Sequence, residues 1–340
     1  MKRVILLCTV FLMLFTTTAY STNSQNIEVE KQLGETNTEL LLELGYTQFD
    51  IDTFGEANST ARTITNKSIS GIDLKKYAQL GYTKTQIEEF GTRDIEYLKN
   101  LEGELIAVDK KYMKIESGKV SEITKEEYDQ STQEYSNLAV VCDAADVCSD
   151  TEPSPNWLTL TTTISKVQNP RPQQYLVQHN FAWTKKPYYT FKDAFGVAHH
   201  VSMSPVQDSE YFKYTADEYY SRNPIIGLGP WHANGTKDTW YMSANDKTGG
   251  MGFEFDLYND FAQLINGKVK KWENHRGTMA YRVIRNNSTF TSADFSGHYI
   301  HTEQSFTGSI GLDISGTGSF SISANITKSP ATQTGVTFNY

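Results

Sequence analysis

The sequence predicts an α+β, multi-domain chain: a small helical N-terminal module followed by an all-β, sandwich-like C-terminal domain. Three observations predict it. A twelve-residue helical unit occurs twice before residue 92. From Trp157 onward, short alternating segments rich in β-branched and aromatic residues follow one another. Charge divides near the same place. Residues 22–152 carry 26 Asp and Glu against 13 Lys and Arg, whereas residues 153–340 carry 14 against 16 and hold all seven histidines.

The first 21 residues read as a secretory signal. Lys2 and Arg3 precede an apolar run from Val4 to Phe15, and Ala19 and Ser21 close a small-residue tail. The run is too short for a membrane helix, and no later stretch reaches the roughly 18–20 apolar residues that one needs. Cys8 follows Leu7, where lipoprotein processing requires a small residue, so no lipid anchor is expected. The expected location is therefore extracellular.

Residues 22–142 form the acidic helical module. LGYTQFDIDTFG (44–55) recurs as LGYTKTQIEEFG (80–91), matching at seven of twelve positions. Gly45 and Gly81 suit the left-handed residue that stops a helix. Thr47 and Thr83 then cap the next helix, with Asp50 and Gln86 three residues on, and Tyr46/Ile51 and Tyr82/Ile87 at staple positions. Two copies are too few for a solenoid, so a small bundle or a pair of helix hairpins is expected. A β-ribbon at 112–124 turns at Ser117–Gly118. Thr124 and Glu127 form another capping box and open a helix to about Leu138. Residues 143–155 are acidic and hold two prolines, which marks a linker. Cys142 and Cys148 flank its start; five intervening residues suit a local disulfide in an exported protein.

Residues 156–340 form the β-domain. Strands are expected at 157–167, 174–183, 195–201, 210–216, 239–258 (turning at 245–250), 277–287, 296–306 and 334–340. Within TMAYRVI, Met279, Tyr281 and Val283 fall on one face and Arg282 on the other. Trp157, Trp183, Phe253 and Phe255 are expected in the core.

Catalytic and metal-binding patterns are weak, and no cofactor is expected. His298 and His301 lie on opposite faces of a strand, and His199 and His200 diverge, so neither pair can hold one ion. His200, His275 and His298 would have to be brought together by the fold to make a metal site. There is no HExxH and no GxSxG motif. Glu254 and Asp256 share a strand face and fit a paired acid/base role, but a solvated outer face opposite Phe253 and Phe255 explains them better. NDKTGG (245–250) lacks the carboxylate spacing of a calcium loop. Asn234 and Asn325 are glycosylation acceptors only in a glycosylating host. The mature chain is not basic enough to point to nucleic acid.

The most distinctive stretch is FTGSIGLDISGTGSFSISANIT (306–327). Phe306, Ile310, Leu312, Ile314, Phe320, Ile322 and Ile326 share one face, and the other is Ser- and Thr-rich. A turn centred on Thr317 pairs Ile314 with Phe320, Leu312 with Ile322 and Ile310 with Ala324. Each arm has about nine residues, enough for a tilted strand to cross a bilayer. The same pattern fits a hairpin roofing a protein core with one solvated face. In lipid, several copies would have to assemble, because a sheet cannot leave an open edge there.

ENHRGTMAYRV (273–283) with SGHYIHTEQS (296–305), EYFKYTAD (210–217), TLTTTISKV and YLVQHNFAW resembles poorly characterised secreted proteins of Gram-positive spore formers, which in turn resemble large bacteriocin-like proteins of the geobacillin type. The resemblance implies an antibacterial protein acting outside the cell and transfers no functional residue. Two functional expectations result. One is a secreted, bacteriocin-like protein that acts on a target-cell membrane through the hairpin and assembles with itself. The other is a non-enzymatic extracellular or spore-associated β-sandwich that binds glycan or protein.

Overall fold

The computed structural model describes residues 37–54, 62–64, 67–69, 71–116, 119–141, 156–184, 186–187, 189–222, 231–242, 244–247, 249–265, 268–305, 307–316, 318–329 and 332–340. The expected signal, the whole linker, Cys142, Cys148, Phe306 and Thr317 lie outside them. Asn37–Tyr340 is one compact unit. The protein is mostly β, with antiparallel sheets and a few helices.

In chain order come α1 (Thr38–Leu44), α2 (Gln48–Asp52), the short ribbon β1 (Arg62–Ile64) and β2 (Lys67–Ile69), then α3 (Gly71–Gln79), α4 (Lys84–Glu88) and α5 (Thr92–Leu98). Strands β3 (Gly103–Glu116) and β4 (Lys119–Ile123) precede α6 (Lys125–Val141). The strands β5 (Asn156–Val167), β6 (Gln174–Trp183), β7 (Lys192–His199), β8 (Met203–Pro205), β9 (Tyr211–Ser221) and β10 (His232–Tyr241) follow. Then come β11 (Asn245–Lys247), β12 (Gly250–Asp256), β13 (Phe261–Ile265), β14 (Lys268–Arg285), β15 (Ser292–Ile300), β16 (Leu312–Ile314), β17 (Phe320–Ile322) and β18 (Thr332–Asn339).

The main sheet has nine strands in the path β10-β9-β14-β6-β5-β3-β4, with β8 and β13 added on β14. The second sheet runs β11-β12-β7-β15-β18. The two sheets pack face to face. Val177, Phe181, Phe212, Met279 and Tyr281 of the main sheet share one core with Phe195, Val197, Phe253, Phe255 and Phe295 of the second. Period-two alternation places these residues inward and their neighbours outward.

The β-ribbon expected at 112–124 is present, with Tyr112 opposite Ile123 and Glu116 opposite Lys119. Its first strand is longer than expected. It starts at Gly103 and pairs with β5 from Gly103↔Val167 to Ile115↔Asn156. Ile106 and Val108 are apolar beside buried Leu105 and Ala107, which blurs the alternation that would have disclosed the full strand. The main sheet therefore takes strands from both sides of residues 143–155.

The repeat folds as its spacing dictates. Gly45 and Gly81 have φ of 105° and 92°, and Thr47/Asp50 and Thr83/Gln86 complete capping boxes. Thr124 and Glu127 cap α6 in the same way. The helices are not a free bundle. They lie on the outer face of the main sheet, where Tyr82 and Leu80 share a cluster with Leu176, Tyr211 and Ala280. A Cβ at Gly81 would lie 2.5 Å from Thr163 Oγ1, so the second turn presses directly on β5. Polar contacts fix the layer: Gln86 Nε2 donates to Asn180 Oδ1 (2.5 Å) and Thr278 Oγ1 (2.9 Å), and Lys213 pairs with buried Asp94 at 3.0 Å.

Two histidines of the main sheet are sealed as neutral rings. His179 stacks on Phe195 and hydrogen-bonds Thr162, and His275 bonds Tyr214. Burial lowers the pKa of each to about 3. In the unfolded chain both titrate near 6.5, so unfolding takes up two protons between these limits. Stability is therefore complete above about pH 6.5 and falls with acidification, approaching ~2.7 kcal/mol per pH unit from these two groups. Urea unfolding at stepped pH is expected to show this loss, with His275→Gln reducing the linked uptake by one proton. Constant stability from pH 7 to 4.5 would contradict the account.

Candidate functional site

The chain between Ile300 and Thr332 joins β15 to β18, two strands already paired along their length from Ser292↔Asn339 to Tyr299↔Thr332. The sheet is complete without this connection. It folds back as the β16–β17 hairpin over the outer face of the second sheet, opposite the shared core.

Ile310, Leu312, Ile314, Phe320 and Ile322 are 0–7 % exposed and pack with Ala194, Ala198 and Ile300 in a cluster separate from the inter-sheet core. Ala324 and Ile326 pack at its edge. Asp313, Ser319, Ser321, Ser323 and Asn325 face solvent. The register is the expected one, with Leu312 opposite Ile322 and Ile314 opposite Phe320. Both expected settings are thus refined: the stripe is covered, but it lies on a sheet's outside and not between the sheets.

The fit depends on missing side chains below the hairpin. A Cβ at Gly252 would lie 2.8 Å from Leu312 Cδ1, 2.9 Å from Phe320 and 3.2 Å from Ile314. One at Gly196 would lie 2.4 Å from Phe320. Alanines 194 and 198 continue this shallow surface on β7. Each apolar side chain buried is worth roughly 1.5–3 kcal/mol, so the five give a gross term on the order of 10 kcal/mol.

Regular strand pairing covers Leu312–Ile314 with Phe320–Ile322, and cross-hairpin backbone bonds continue from Ser323 N to Gly311 O (2.7 Å) and from Ala324 N to Ile310 O (3.0 Å), as the expected register requires. On the first arm Glu254 takes the remaining donors: its carboxylate accepts from Ser309 Oγ (2.6 Å), Ile310 N (2.9 Å) and Gly311 N (3.1 Å). Two backbone donors go to a side chain of β12, and Gly311 turns at φ 65°. Glu254 therefore acts as a latch, while Asp256 is exposed and shares none of these contacts. Sequence alone reads Glu254 as a solvated face because its hairpin partners lie more than fifty residues away.

The rest of the attachment is uneven. His298 stacks on Phe320 (centroids 5.2 Å apart, planes 6° apart) and its Nε2 lies 3.1 Å from Gly318 O. Burial lowers its pKa to about 4, keeping the ring neutral. The roots are firmer. Buried Asp193 accepts from Thr302 N at 3.0 Å, pairs with His301 Nδ1 at 3.0 Å and holds the Tyr299 hydroxyl. Ser329 N returns to His301 O, and Glu303 N to Thr327 O, both at 2.9 Å.

The histidine pairs diverge as the strand period requires. His298 meets the hairpin while His301 meets Trp183; His199 meets Tyr281 and Phe295 while His200 meets Phe290. His200, His275 and His298 bond to Ser202, Tyr214 and Gly318 respectively. Among the described residues, no three His, Cys, Asp or Glu side chains are placed to share a metal. Asn245–Lys247 and Gly250–Asp256 pair across the turn expected at 245–250. No described helix is long and apolar enough to cross a membrane, which says nothing of strands.

No family model matches the sequence, and no curated protein matches it. A solved structure described as a pore forming protein aligns at a TM-score of 0.26 and 9 % identity, over 70 % of this chain and 96 % of that one. This likeness is too slight to define a family or a mechanism.

Gly252→Val is expected to push the hairpin from its seat, because the atoms it meets belong to hairpin side chains. Overpacking should cost about 1–3 kcal/mol. Limited proteolysis should cut between residues 307 and 327 before it cuts the sheets. Unchanged resistance of this segment would refute the proposed fit.

Proposed function

We propose that the protein is a secreted, bacteriocin-like membrane-active protein that releases the 306–327 hairpin from the second sheet and inserts it into a target-cell bilayer. In this reading the two sheets form a β-sandwich with helices on one outer face and a stowed hairpin on the other. The observation that carries it is an amphipathic hairpin held as a separate layer, inserted between two strands that pair without it.

The energetics favour transfer over simple exposure. Exposing the five buried side chains to water would cost on the order of 10 kcal/mol, whereas lipid tails return much of that term. Each arm has enough residues for a tilted membrane strand once the Glu254 carboxylate no longer holds Ile310 and Gly311. The hydroxyl-rich face then lines a wet interior, and several copies close the barrel to leave no edge in lipid. The bacteriocin-like sequence resemblance supports a bacterial target. The N-terminal 21 residues support export, and the spacing of Cys142 and Cys148 supports a local disulfide.

A reversible tether tests this reading. A Cβ at Gly316 would lie 3.6 Å from Val201 Cβ, within the ~3.5–4.5 Å of a disulfide, so Val201→Cys with Gly316→Cys can link the hairpin turn to the segment after β7. The oxidised protein, verified as folded by its melting curve, should release no dye from phosphatidylglycerol-containing vesicles. Reductant should restore release, and leave wild type and each single variant unchanged. Equal leakage by the oxidised and reduced double variant would overturn the reading.

A further inference from the structure

The helical layer leaves a cavity of ≈ 430 Å³ against the main sheet, bounded by α4, α6 and strands β3, β5, β6, β9 and β14. It lies on the face of the two-sheet stack away from the hairpin. The size falls within the ~300–1,000 Å³ of small-molecule sites. Its lining combines three chemistries.

The first is hydrogen bonding. Asn180 is 8 % exposed; its Oδ1 accepts from Gln86, but its buried Nδ2 has no partner among the described residues. Leaving a buried donor unmade costs about 1–3 kcal/mol, so this amide is suited to an incoming acceptor. Thr159 and Thr161 of β5 line the same cavity, and no described residue bonds to their hydroxyls. The second is aromatic: Tyr112 and Tyr128 contribute ring surface.

The third is a cation without a direct ion-pair partner among the described residues. Lys84 pairs with Asp50, Lys125 with Asp129, Lys213 with Asp94, and Arg276 with both Glu89 and Asp217. Lys110 has no carboxylate within ion-pair distance among the described residues. Its Nζ lies 5.5 Å from the Tyr112 ring centroid. Burial and the neighbouring Lys125 charge lower its pKa, while the more distant Asp129 and Glu43 carboxylates favour its charged form. One cation free of a direct ion pair calls for a monoanion; a phosphate ester or nucleotide would face carboxylates already occupying the other cations.

A ligand with a carboxylate, hydroxyls along one edge and C–H groups on a ring face satisfies all three. We propose that this cavity binds an acidic sugar, with Lys110 meeting the carboxylate, Asn180 and the β5 threonines meeting hydroxyls, and the tyrosine rings covering the C–H face. This inference is independent of the hairpin reading.

Calorimetric titration of the intact protein with galacturonic acid and with N-acetylneuraminic acid, in the absence of membranes, tests it. At least one should bind saturably, and its methyl ester should bind at least tenfold more weakly. Lys110→Met should weaken binding at least tenfold while Lys110→Arg retains it, both with wild-type melting temperatures. Asn180→Ala should also weaken binding, while leaving the preference for acid over ester intact. Absence of saturable binding by both acids would overturn the proposal. So would binding that neither esterification nor Lys110→Met weakens. Because no membrane is present, either outcome leaves the vesicle-leakage test of the hairpin unaffected.

Discussion

The contact between five apolar hairpin side chains and a glycine-smoothed sheet surface governs the membrane reading of this protein. Ile310, Leu312, Ile314, Phe320 and Ile322 reach closely enough to bury themselves only because Gly196 and Gly252 carry no side chain beneath them. The contact is chiefly hydrophobic and therefore largely non-directional. Lipid can replace the sheet as the apolar partner without matching its shape. The inter-sheet core, in contrast, interlocks aromatic rings from both sheets and has no such substitute.

Specificity for the stowed state comes from polar contacts around this seat. Glu254 takes two backbone amides and a hydroxyl of the first arm, tying it to β12. The cluster around Asp193 anchors the root; in the proposed reading the body leaves while the connection to β15 and β18 stays fixed. On the opposite side of the molecule, Gln86, Glu89 and Asp94 bind the helices to Thr278, Arg276 and Lys213 of the main sheet. The cavity lies among these attachments, well separated from the hairpin by the two sheets.

Much of the local structure was legible in the sequence because it obeys short-range rules. The capping boxes at Thr47, Thr83 and Thr124 and the pairing of Leu312 with Ile322 follow from spacing alone. What was hidden depends on distant partners. Gln86 and Asp94 look like solvent-facing helix residues until β6, β9 and β14 are placed beside them. The start of β3 is obscured by apolar Ile106 and Val108 and a run of charge, Asp109 to Lys111, although its alternate residues are buried at Gly103, Leu105 and Ala107. Gly252 carries no sign of its role, since a glycine in a strand more often marks a bulge than a docking surface. Pattern thus defined the hairpin's two faces, while only the fold defined what the apolar face covers.

The most direct measurement is the environment of successive hairpin residues after membrane binding. Single cysteines at positions 319 to 323, introduced with Cys142 and Cys148 replaced by Ser, would carry an environment-sensitive fluorophore. Exposure to lipid-borne and aqueous quenchers on vesicles should alternate: positions 320 and 322 in contact with lipid, positions 319, 321 and 323 with water. All five positions retaining their aqueous-state spectra on vesicles that leak would contradict the account.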